Sequence, residues 1–351
     1  MIFHTLSVRA IDRETPNAVS VSFEVPEQLK SEFGFKPGQY LTLKTRIKDV
    51  EVRRAYSLCT NPASGDLRVV IKRVDEGVFS SYANDHLKPG DEIDVGLPMG
   101  KFTVSTDAAN ERDIMAIAAG SGITPVMSIL LSVLEEEPNS RCVLLYGNKS
   151  PEQTIFLEDL NTLASKYNGR FMFLQAYSQT HIEGGFFGRI DRSIILKVIN
   201  DLPSHIDLKS FFLCGPNDMI DNSIDVLTGR GYDREQIHFE LFTTSDEENR
   251  ESSEPVSDGT CNVRVIVDEE EETFTMVKGK TILESALEND IDAPYSCQGG
   301  ICSTCIAKIQ QGEARMRQNN VLTDEEVSEG FVLTCQAEPI SSSLVVDYDD
   351  V

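Results

Sequence analysis

Four cysteines in the last quarter of the chain constrain its fold more than any other feature. They follow the pattern Cys-x4-Cys-x2-Cys, and the fourth comes after 29 further residues: Cys297, Cys302, Cys305 and Cys335. This spacing is typical of four thiolates that hold a 2Fe–2S cluster. Zinc sites favour two close cysteine pairs instead of a triplet and a distant fourth. Disulfides are not expected either, because the first residues show no secretory signal.

The sequence around these cysteines, YSCQGGICSTC, places glycines inside the predicted cluster loop. Glycine allows the unusual backbone angles and the close approach of N–H groups to sulfur that such a loop needs. Residues 261–351 resemble a plant-type ferredoxin over their full length. The resemblance implies a β-grasp fold whose cluster carries one electron at a time.

The rest of the chain divides by its hydrophobic pattern. Residues 1–106 contain short alternating runs separated by turn signals, which predict an antiparallel β-barrel. In residues 107–242 strands alternate with helical stretches, which predicts an α/β domain with a parallel sheet. Residues 243–260 contain six acids and one arginine, and we interpret them as an acidic linker. The predicted class is therefore a multidomain protein that ends in the ferredoxin-like module of residues 261–351.

The charge balance narrows the choice of partners. The chain has 32 basic and 57 acidic residues and a net charge of −25. It lacks the positive surface that nucleic acids and anionic membranes require. The 21 uncharged residues 114–134 contain a glycine turn, so a strand and a helix explain them better than a membrane span. We expect a cytoplasmic protein whose acidic ferredoxin domain docks on a basic electron acceptor.

A one-electron carrier that is charged by a two-electron donor needs a flavin between them. The predicted barrel contains Arg54-Ala55-Tyr56-Ser57, which by itself could be an ordinary strand with a surface arginine. When it precedes an α/β domain of the nucleotide-binding type, this four-residue sequence becomes a specific signal. Residues 1–242 as a whole resemble the ferredoxin–NADP reductase superfamily. The resemblance implies that Tyr56 packs on the flavin, Ser57 hydrogen-bonds near its N5 atom, and Arg54 holds the diphosphate.

A second segment resembles the flavin-binding element of the same superfamily. Its Gly-x-x-Ser part would offer backbone N–H groups and a hydroxyl to a pyrophosphate at the start of a helix. FMN-dependent relatives lack this element, so the resemblance implies FAD. The flavin-binding residues predicted here are Ile71, Lys72, Gly77, Val78, Phe79 and Ser80.

A glycine turn stands between a predicted strand and a predicted helix. Gly120, Ser121 and Gly122 would let a dinucleotide pyrophosphate approach exposed N–H groups, although a plain tight turn is the alternative. We expect Thr124 to be the N-cap of the helix and Pro125 its first helical residue.

A turn after a later strand reads Cys214-Gly215-Pro216. A buried cysteine commonly serves packing alone, but in the superfamily this turn borders the nicotinamide. Glu240 and Phe242 match the glutamate and aromatic residue at the end of the reductase part. The resemblance implies that the glutamate helps to exchange electrons or protons near the flavin. The predicted catalytic residues are Ser57, Cys214 and Glu240.

The coenzyme, NADPH or NADH, stays open. No acid stands near positions 146–149, where a classical fold would bind the ribose hydroxyls of NAD, and Lys149 there is compatible with a 2′-phosphate. NADPH-using relatives often have Ser-Arg after the third strand, whereas this chain has Ser178-Gln179. Ser178 is the predicted nucleotide-binding residue of this segment.

Together these patterns predict an NAD(P)H-dependent oxidoreductase that passes electrons through FAD and a 2Fe–2S cluster to an oxygenase. The domain order most resembles the reductase components of phenylacetyl-CoA epoxidases, whose acceptor is a diiron monooxygenase of phenylacetate catabolism. The alternatives are a reductase for another acceptor (a ring-hydroxylating oxygenase, a hybrid-cluster protein, a fatty-acid or sterol hydroxylase) and a non-catalytic electron carrier or redox sensor.

Overall fold

The structure is a computed structural model, and it describes residues 1–242, 260–277 and 279–351. The predicted linker, residues 243–260, lies outside the described residues except for Thr260, which begins a strand. The chain divides into two compact units on either side of the Phe242–Thr243 bond.

The first half of the N-terminal unit is an antiparallel sheet of six strands in the order β4-β3-β6-β1-β2-β5. An isolated bridge between Leu58 and Val69 ties the chain after β4 to β5, so the two edges of the sheet approach each other. The strands are β1 Phe3–Thr15, β2 Ala18–Glu24, β3 Tyr40–Ile47, β4 Val50–Ser57, β5 Leu67–Lys72 and β6 Glu92–Gly96, and helix α1 spans Val78–Asp85.

The second half is a parallel sheet of six strands in the order β10-β9-β8-β7-β11-β12. Its strands are β7 Asp113–Ala119, β8 Arg141–Asn148, β9 Phe171–Tyr177, β10 Phe186–Phe187, β11 Leu208–Gly215 and β12 Ile237–Leu241. Its helices are α2 Ile123–Glu136, α3 Leu157–Lys166, α4 Arg192–Asp201 and α5 Asn217–Gly229. The predicted parallel α/β architecture is confirmed.

The prediction for the start of α2 was wrong. The helix begins at Ile123 after a 3-10 turn, so Thr124 lies inside the first helical turn. The Thr124 hydroxyl donates to the carbonyl of Ser121 at 3.0 Å instead of accepting a backbone N–H. Pro125 is tolerated two positions further in, as the third helical residue, because the first backbone N–H groups of a helix have no acceptor within the helix.

The two sheets of the N-terminal unit share a buried core. Phe102 and Val104, which follow the barrel, pack in the same cluster as the apolar face of α2. The hydroxyl of Ser128 on α2 donates to the carbonyl of Thr60 at 2.6 Å. The barrel and the α/β part are therefore held in a fixed position relative to each other. This position determines which residues of the two parts face each other.

The C-terminal unit has a mixed sheet of five strands in the order β14-β13-β19-β15-β17 and a small sheet of β16 and β18. Its strands are β13 Thr260–Val267, β14 Glu270–Val277, β15 Ile306–Gln311, β16 Ala314–Met316, β17 Phe331–Leu333, β18 Ala337–Pro339 and β19 Ser343–Asp347. Its helices, α6 Ile282–Glu288 and α7 Asp324–Ser328, each begin with a threonine capping box. Such boxes satisfy the first free N–H groups of short helices.

Within the part of the chain that the structure describes, no helix is long and apolar enough to cross a membrane.

Candidate flavin, nucleotide and cluster sites

The three predicted catalytic residues come from different strands and meet in the N-terminal unit. Ser57 ends β4, and its hydroxyl lies 3.5 Å from a carboxylate oxygen of Glu240 on β12. Cys214 and Glu240 are register partners on the neighbouring strands β11 and β12. The structure therefore brings a hydroxyl, a carboxylate and a thiol together at the junction of the two sheets.

The thiol of Cys214 is fully buried. Burial raises the pKa of Cys214 well above the ordinary thiol value, and the Glu240 carboxylate raises it further. A thiol in this setting stays protonated at neutral pH and is a poor nucleophile. It can therefore offer a compact, neutral wall or a weak S–H donor next to the carboxylate.

Tyr56 and the start of α1 form the predicted flavin-binding surface. The ring of Tyr56 lies 5.5 Å from that of Phe79, and Arg54 lies close enough to lower the pKa of the Tyr56 hydroxyl, which burial raises more strongly. Gly77 precedes α1, and Val78, its first residue, is exposed. The free N–H groups of this helix start can bind an anion such as a diphosphate.

The hydroxyl of Ser80 shapes the loop before α1. It accepts from the N–H of Val74 at 3.1 Å and donates to the carbonyl of Gly77 at 3.3 Å. This hydroxyl is therefore engaged within the protein, where it fixes the loop around the helix start.

Asn84 is a residue of this region that sequence analysis missed. Its amide donates to the carbonyls of Ile71 and Ser80, and its side-chain oxygen accepts from Arg13 at 3.1 Å. One buried side chain thus ties β5 to α1. A signal was present in the spacing of four residues between Ser80 and Asn84, which places both on one face of a helix.

The predicted nucleotide turn lies against the turn after β11. A Cβ atom on Gly122 would stand 2.2 Å from the carbonyl oxygen of Cys214, so only glycine fits. A Cβ on Gly215 would stand 2.7 Å from the Met219 side chain. The two predicted nucleotide turns are therefore neighbours, packed backbone to backbone.

Lys72 lies over the glycine turn, and Lys149 lies near enough to Lys72 to act on its charge. The Lys72 ammonium lies 3.3 Å from the point that a Cβ of Gly120 would occupy. Burial lowers the pKa of Lys72, and the nearby charge of Lys149 lowers it further. A cation beside the start of a helix, with a second cation near it, favours a bound anion, which would offset the repulsion between the two. Sequence analysis placed Lys72 with the flavin segment, whereas the structure places its charge over the nucleotide turn.

The remaining predicted residues lie around the same sheet. Ser178 follows β9, and its N–H donates to the carbonyl of Asn148 at 3.0 Å. Pro216 precedes α5, and Phe242 packs against the shared core. The side-chain oxygen of Asn217, next to Pro216, is buried without a hydrogen-bond partner in the described residues. An unsatisfied buried acceptor at this turn fits a site that binds a polar ligand.

The four predicted cluster ligands come together in the C-terminal unit. The thiol of Cys297 interacts with those of Cys302 and Cys335, and the thiol of Cys335 also interacts with that of Cys305. Three of the four are buried, and Cys297 is half-buried.

The loop between the first two ligands has the backbone that sequence analysis expected. Gln298 and Gly300 have positive φ angles of 55° and 69°. The turn brings the N–H of Gly299 within 3.3 Å of the Cys297 sulfur. N–H groups that point at sulfur stabilise thiolate ligands.

The chemistry of these residues fits an iron–sulfur cluster, because four thiolates at this spacing are the usual ligands of a 2Fe–2S centre. Among the described residues, no group of three or more His, Cys, Asp or Glu side chains is arranged to hold one metal ion. The hydroxyl of Ser296, beside Cys297, is buried without a partner in the described residues, as expected where an acceptor is supplied by a bound group.

Comparison with known families covers all three parts of the chain. Residues 5–104 match the oxidoreductase FAD-binding domain, and residues 116–224 match the oxidoreductase NAD-binding domain. Residues 265–339 match the 2Fe-2S iron-sulfur cluster binding domain. The predicted cofactors, FAD, NAD(P)H and a 2Fe–2S cluster, are confirmed at the level of these domains.

Whole-chain relatives share this arrangement. The chain is 36% identical to one of the subunits of 1,2-phenylacetyl-CoA epoxidase of Escherichia coli (strain K12) over 349 residues, which cover 99% of this chain and 98% of the relative. It is 30% identical to the ferredoxin reductase component of 3-ketosteroid-9-alpha-monooxygenase of Rhodococcus rhodochrous, across 98% and 96% of the two chains. The solved structure of phthalate dioxygenase reductase matches with a TM-score of 0.61 at 22% identity and covers 98% of both chains. That match shows the fold.

Proposed function

Because this chain belongs to the ferredoxin–NADP reductase superfamily, in the group whose FAD- and NAD-binding domains are followed by a plant-type 2Fe–2S domain, we propose that it is the reductase component of a phenylacetyl-CoA epoxidase-type oxygenase. One observation carries the choice of acceptor. Identity to the epoxidase relative is 36% over nearly the whole chain, against 30% for the ketosteroid monooxygenase component.

The bound groups supply the redox chemistry: a flavin takes two electrons as hydride from NAD(P)H, and a 2Fe–2S cluster passes on one at a time. The chain's own residues would hold these cofactors in place and neutralise the charge of their phosphates. Tyr56 and Phe79 would line the flavin ring, and the start of α1 with Arg54 would bind the diphosphate. The contact between Ser57 and Glu240 supports a role for this pair in moving a proton between the site and solvent.

Lys72 over the glycine turn, with the charge of Lys149 near it, supports binding of the nucleotide diphosphate. Lys149 adds a second cation that would favour a further phosphate, which would give a preference for NADPH over NADH. The ratio of kcat/KM for the two coenzymes, measured with the full-length holoenzyme, checks this preference directly.

The acceptor is tested by reconstitution. The holoenzyme, mixed with the oxygenase subunits of a phenylacetyl-CoA epoxidase, should support NAD(P)H-dependent epoxidation of phenylacetyl-CoA. A parallel reaction with a 3-ketosteroid-9-alpha-monooxygenase oxygenase tests the second relative. Turnover with the steroid enzyme alone would withdraw the epoxidase assignment and leave the reductase assignment standing.

The electron path is tested with Cys302→Ala. This variant should lose its iron and its activity with the oxygenase, while it keeps FAD and still reduces ferricyanide with NAD(P)H. Cys261→Ala is the matched control, because Cys261 is also buried in the C-terminal unit but lies outside the ligand spacing. Full oxygenase turnover by Cys302→Ala would show that the proposed path is wrong.

A further inference from the structure

Tyr146 carries a buried hydroxyl beside the glycine turn of residues 120–122. Along β8, Cys142, Leu144 and Tyr146 pack in the same cluster as the apolar face of α2, and Tyr146 is 1% exposed. This alternation is that of one face of a strand. The register partner of Tyr146 on β7 is Ala118, two residues before the turn, so the side chain lies within reach of the turn.

The proton of the Tyr146 hydroxyl is committed to the turn. The hydroxyl lies 2.8 Å from the carbonyl oxygen of Gly120, and because a carbonyl can only accept, the hydroxyl is the donor. Burial raises the pKa of Tyr146, so the hydroxyl keeps this proton at neutral pH. The side chain of Asn148 lowers that pKa, as a donor to the hydroxyl oxygen does, and this leaves the proton on the Gly120 side.

A second hydroxyl holds the next carbonyl of the turn. The Thr124 side chain, which is 2% exposed, donates to the carbonyl of Ser121 at 3.0 Å. The N–H of Ile123 donates to the carbonyls of Gly120 and Ser121 as well. Two consecutive carbonyls are thus bound by hydroxyls from β8 and from α2. Neither peptide plane can rotate without breaking one of these bonds.

These bonds fix the direction in which the turn presents its N–H groups. Its peptide bonds are trans, and in a trans peptide the C=O and N–H groups point in opposite directions. Since the Gly120 carbonyl is directed at the buried Tyr146, the N–H of Ser121 points the other way. The Lys72 ammonium stands 3.3 Å from the position that a Cβ of Gly120 would take. The same turn therefore combines a directed N–H group with a cation, as an anion site requires.

We propose that Tyr146 and Thr124 are positioning residues for the nucleotide, whose hydroxyls hold the glycine turn with its N–H groups directed at the pyrophosphate of NAD(P)H. The proposal rests on the assignment of this turn to the nucleotide. The pyrophosphate takes no part in hydride transfer, so the turn binds it equally well in the ground state and in the transition state. Loss of such binding raises KM and leaves kcat unchanged.

The test is Tyr146→Phe in the full-length holoenzyme, which removes the hydroxyl and keeps the ring. With ferricyanide as acceptor, we expect KM for NAD(P)H to rise about two- to tenfold, the range that corresponds to one hydrogen bond, at unchanged kcat and FAD content. Tyr177→Phe is the matched control, because Tyr177 is equally buried at the end of β9 and its hydroxyl donates to the Gln175 side chain at 2.9 Å. The same KM in both variants would overturn the proposal.

A hydride donor without phosphates separates positioning of the turn from a general disturbance of the domain. N-benzyl-dihydronicotinamide has no pyrophosphate, so it should reduce the flavin of Tyr146→Phe at the wild-type rate. An equal loss of rate with this donor and with NAD(P)H would show that the substitution disturbs the flavin site, against the proposal.

If Tyr146→Phe does not fold, Thr124 carries the test. Thr124→Val should raise KM for NAD(P)H, whereas Thr124→Ser, which keeps the hydroxyl, should not. Equal KM values in these two variants would overturn the proposal. Failure of the nucleotide assignment is distinguishable, because Lys72→Met would then also leave KM for NAD(P)H unchanged.

Discussion

At the scale of single residues, Gly122 is required by space. Its φ of −61° is ordinary, but any Cβ atom would meet the Cys214 carbonyl at 2.2 Å. We expect Gly122→Ala to lose about 1–3 kcal/mol of stability and to lower kcat/KM for NAD(P)H, since the turn after β11 must move. Thermal unfolding and steady-state kinetics measure both effects.

Gly229→Ala is the control for this prediction, because a Cβ atom at the end of α5 would meet nothing within 4 Å. Equal stability and equal kinetics of the two variants would contradict the role given to the close approach.

The hydroxyl of Ser80 has a different task, because it holds the loop before α1 through Val74 and Gly77. Ser80→Ala removes the acceptor of the Val74 N–H and the donor to the Gly77 carbonyl, and each such hydrogen bond contributes about 0.5–1.5 kcal/mol. We expect less FAD per purified chain, measured from its absorbance after release. Ser81→Ala, one residue along the same helix and partly exposed, should retain FAD. Full FAD content in Ser80→Ala would show that the loop does not depend on this hydroxyl.

At the scale of elements, the end of α2 depends on a buried carboxylate. Glu137 is 0% exposed and accepts from Arg112 at 2.6 Å, Asn110 at 2.8 Å and Ser140 at 2.7 Å. Burial by itself raises the pKa of Glu137, but these hydrogen bonds together hold it below the ordinary value. A carboxylate with a depressed pKa in the folded state stabilises the fold at neutral pH.

This arrangement predicts the direction of a pH effect. The contribution of Glu137 should be fully present above its ordinary pKa of 4.5 and be lost as the pH falls through the lower folded value. Glu137→Gln should cost about 3 kcal/mol at neutral pH and flatten the acid side of the stability profile. Chemical unfolding at several pH values measures both, with the exposed Glu111→Gln as control. An unchanged acid limb in Glu137→Gln would contradict the assignment.

At the scale of the whole molecule, charge is unevenly distributed. Residues 261–351 carry 18 acids and 6 bases, a net charge of −12 out of −25 for the chain. A module of this charge is drawn to a basic partner surface by long-range attraction, which salt screens. We propose that the oxygenase docks on this module.

Electron delivery to the true partner should therefore slow as salt rises from about 0.1 M to about 1 M, over which the screening length falls from about 10 Å to about 3 Å. Turnover with the oxygenase at low protein concentration measures this effect. Flavin reduction by NAD(P)H, measured in the same buffers, separates it from effects on nucleotide binding. A rate with the oxygenase that stays flat across this range would remove the electrostatic argument.

Some features could be predicted because neighbouring residues in the chain encode them. Three cluster ligands lie within one short loop, so their spacing alone indicates the binuclear site. The alternation of strands and helices in residues 107–242 similarly predicts a parallel sheet, since periodicity reports which face of an element is buried. The start of α2 was misplaced because Thr124 and Pro125 are suited to several positions in a first turn.

The sequence by itself thus determined the domain types, their order and the cofactors. Only the tertiary structure decided which distant residues meet: Ser57 and Glu240, 183 residues apart, and Lys72 over the nucleotide turn. The physical reason is that ligand spacing and periodicity are local properties of the chain. Contacts between strands of different sheets depend on how whole faces pack, and no short sequence pattern specifies that packing.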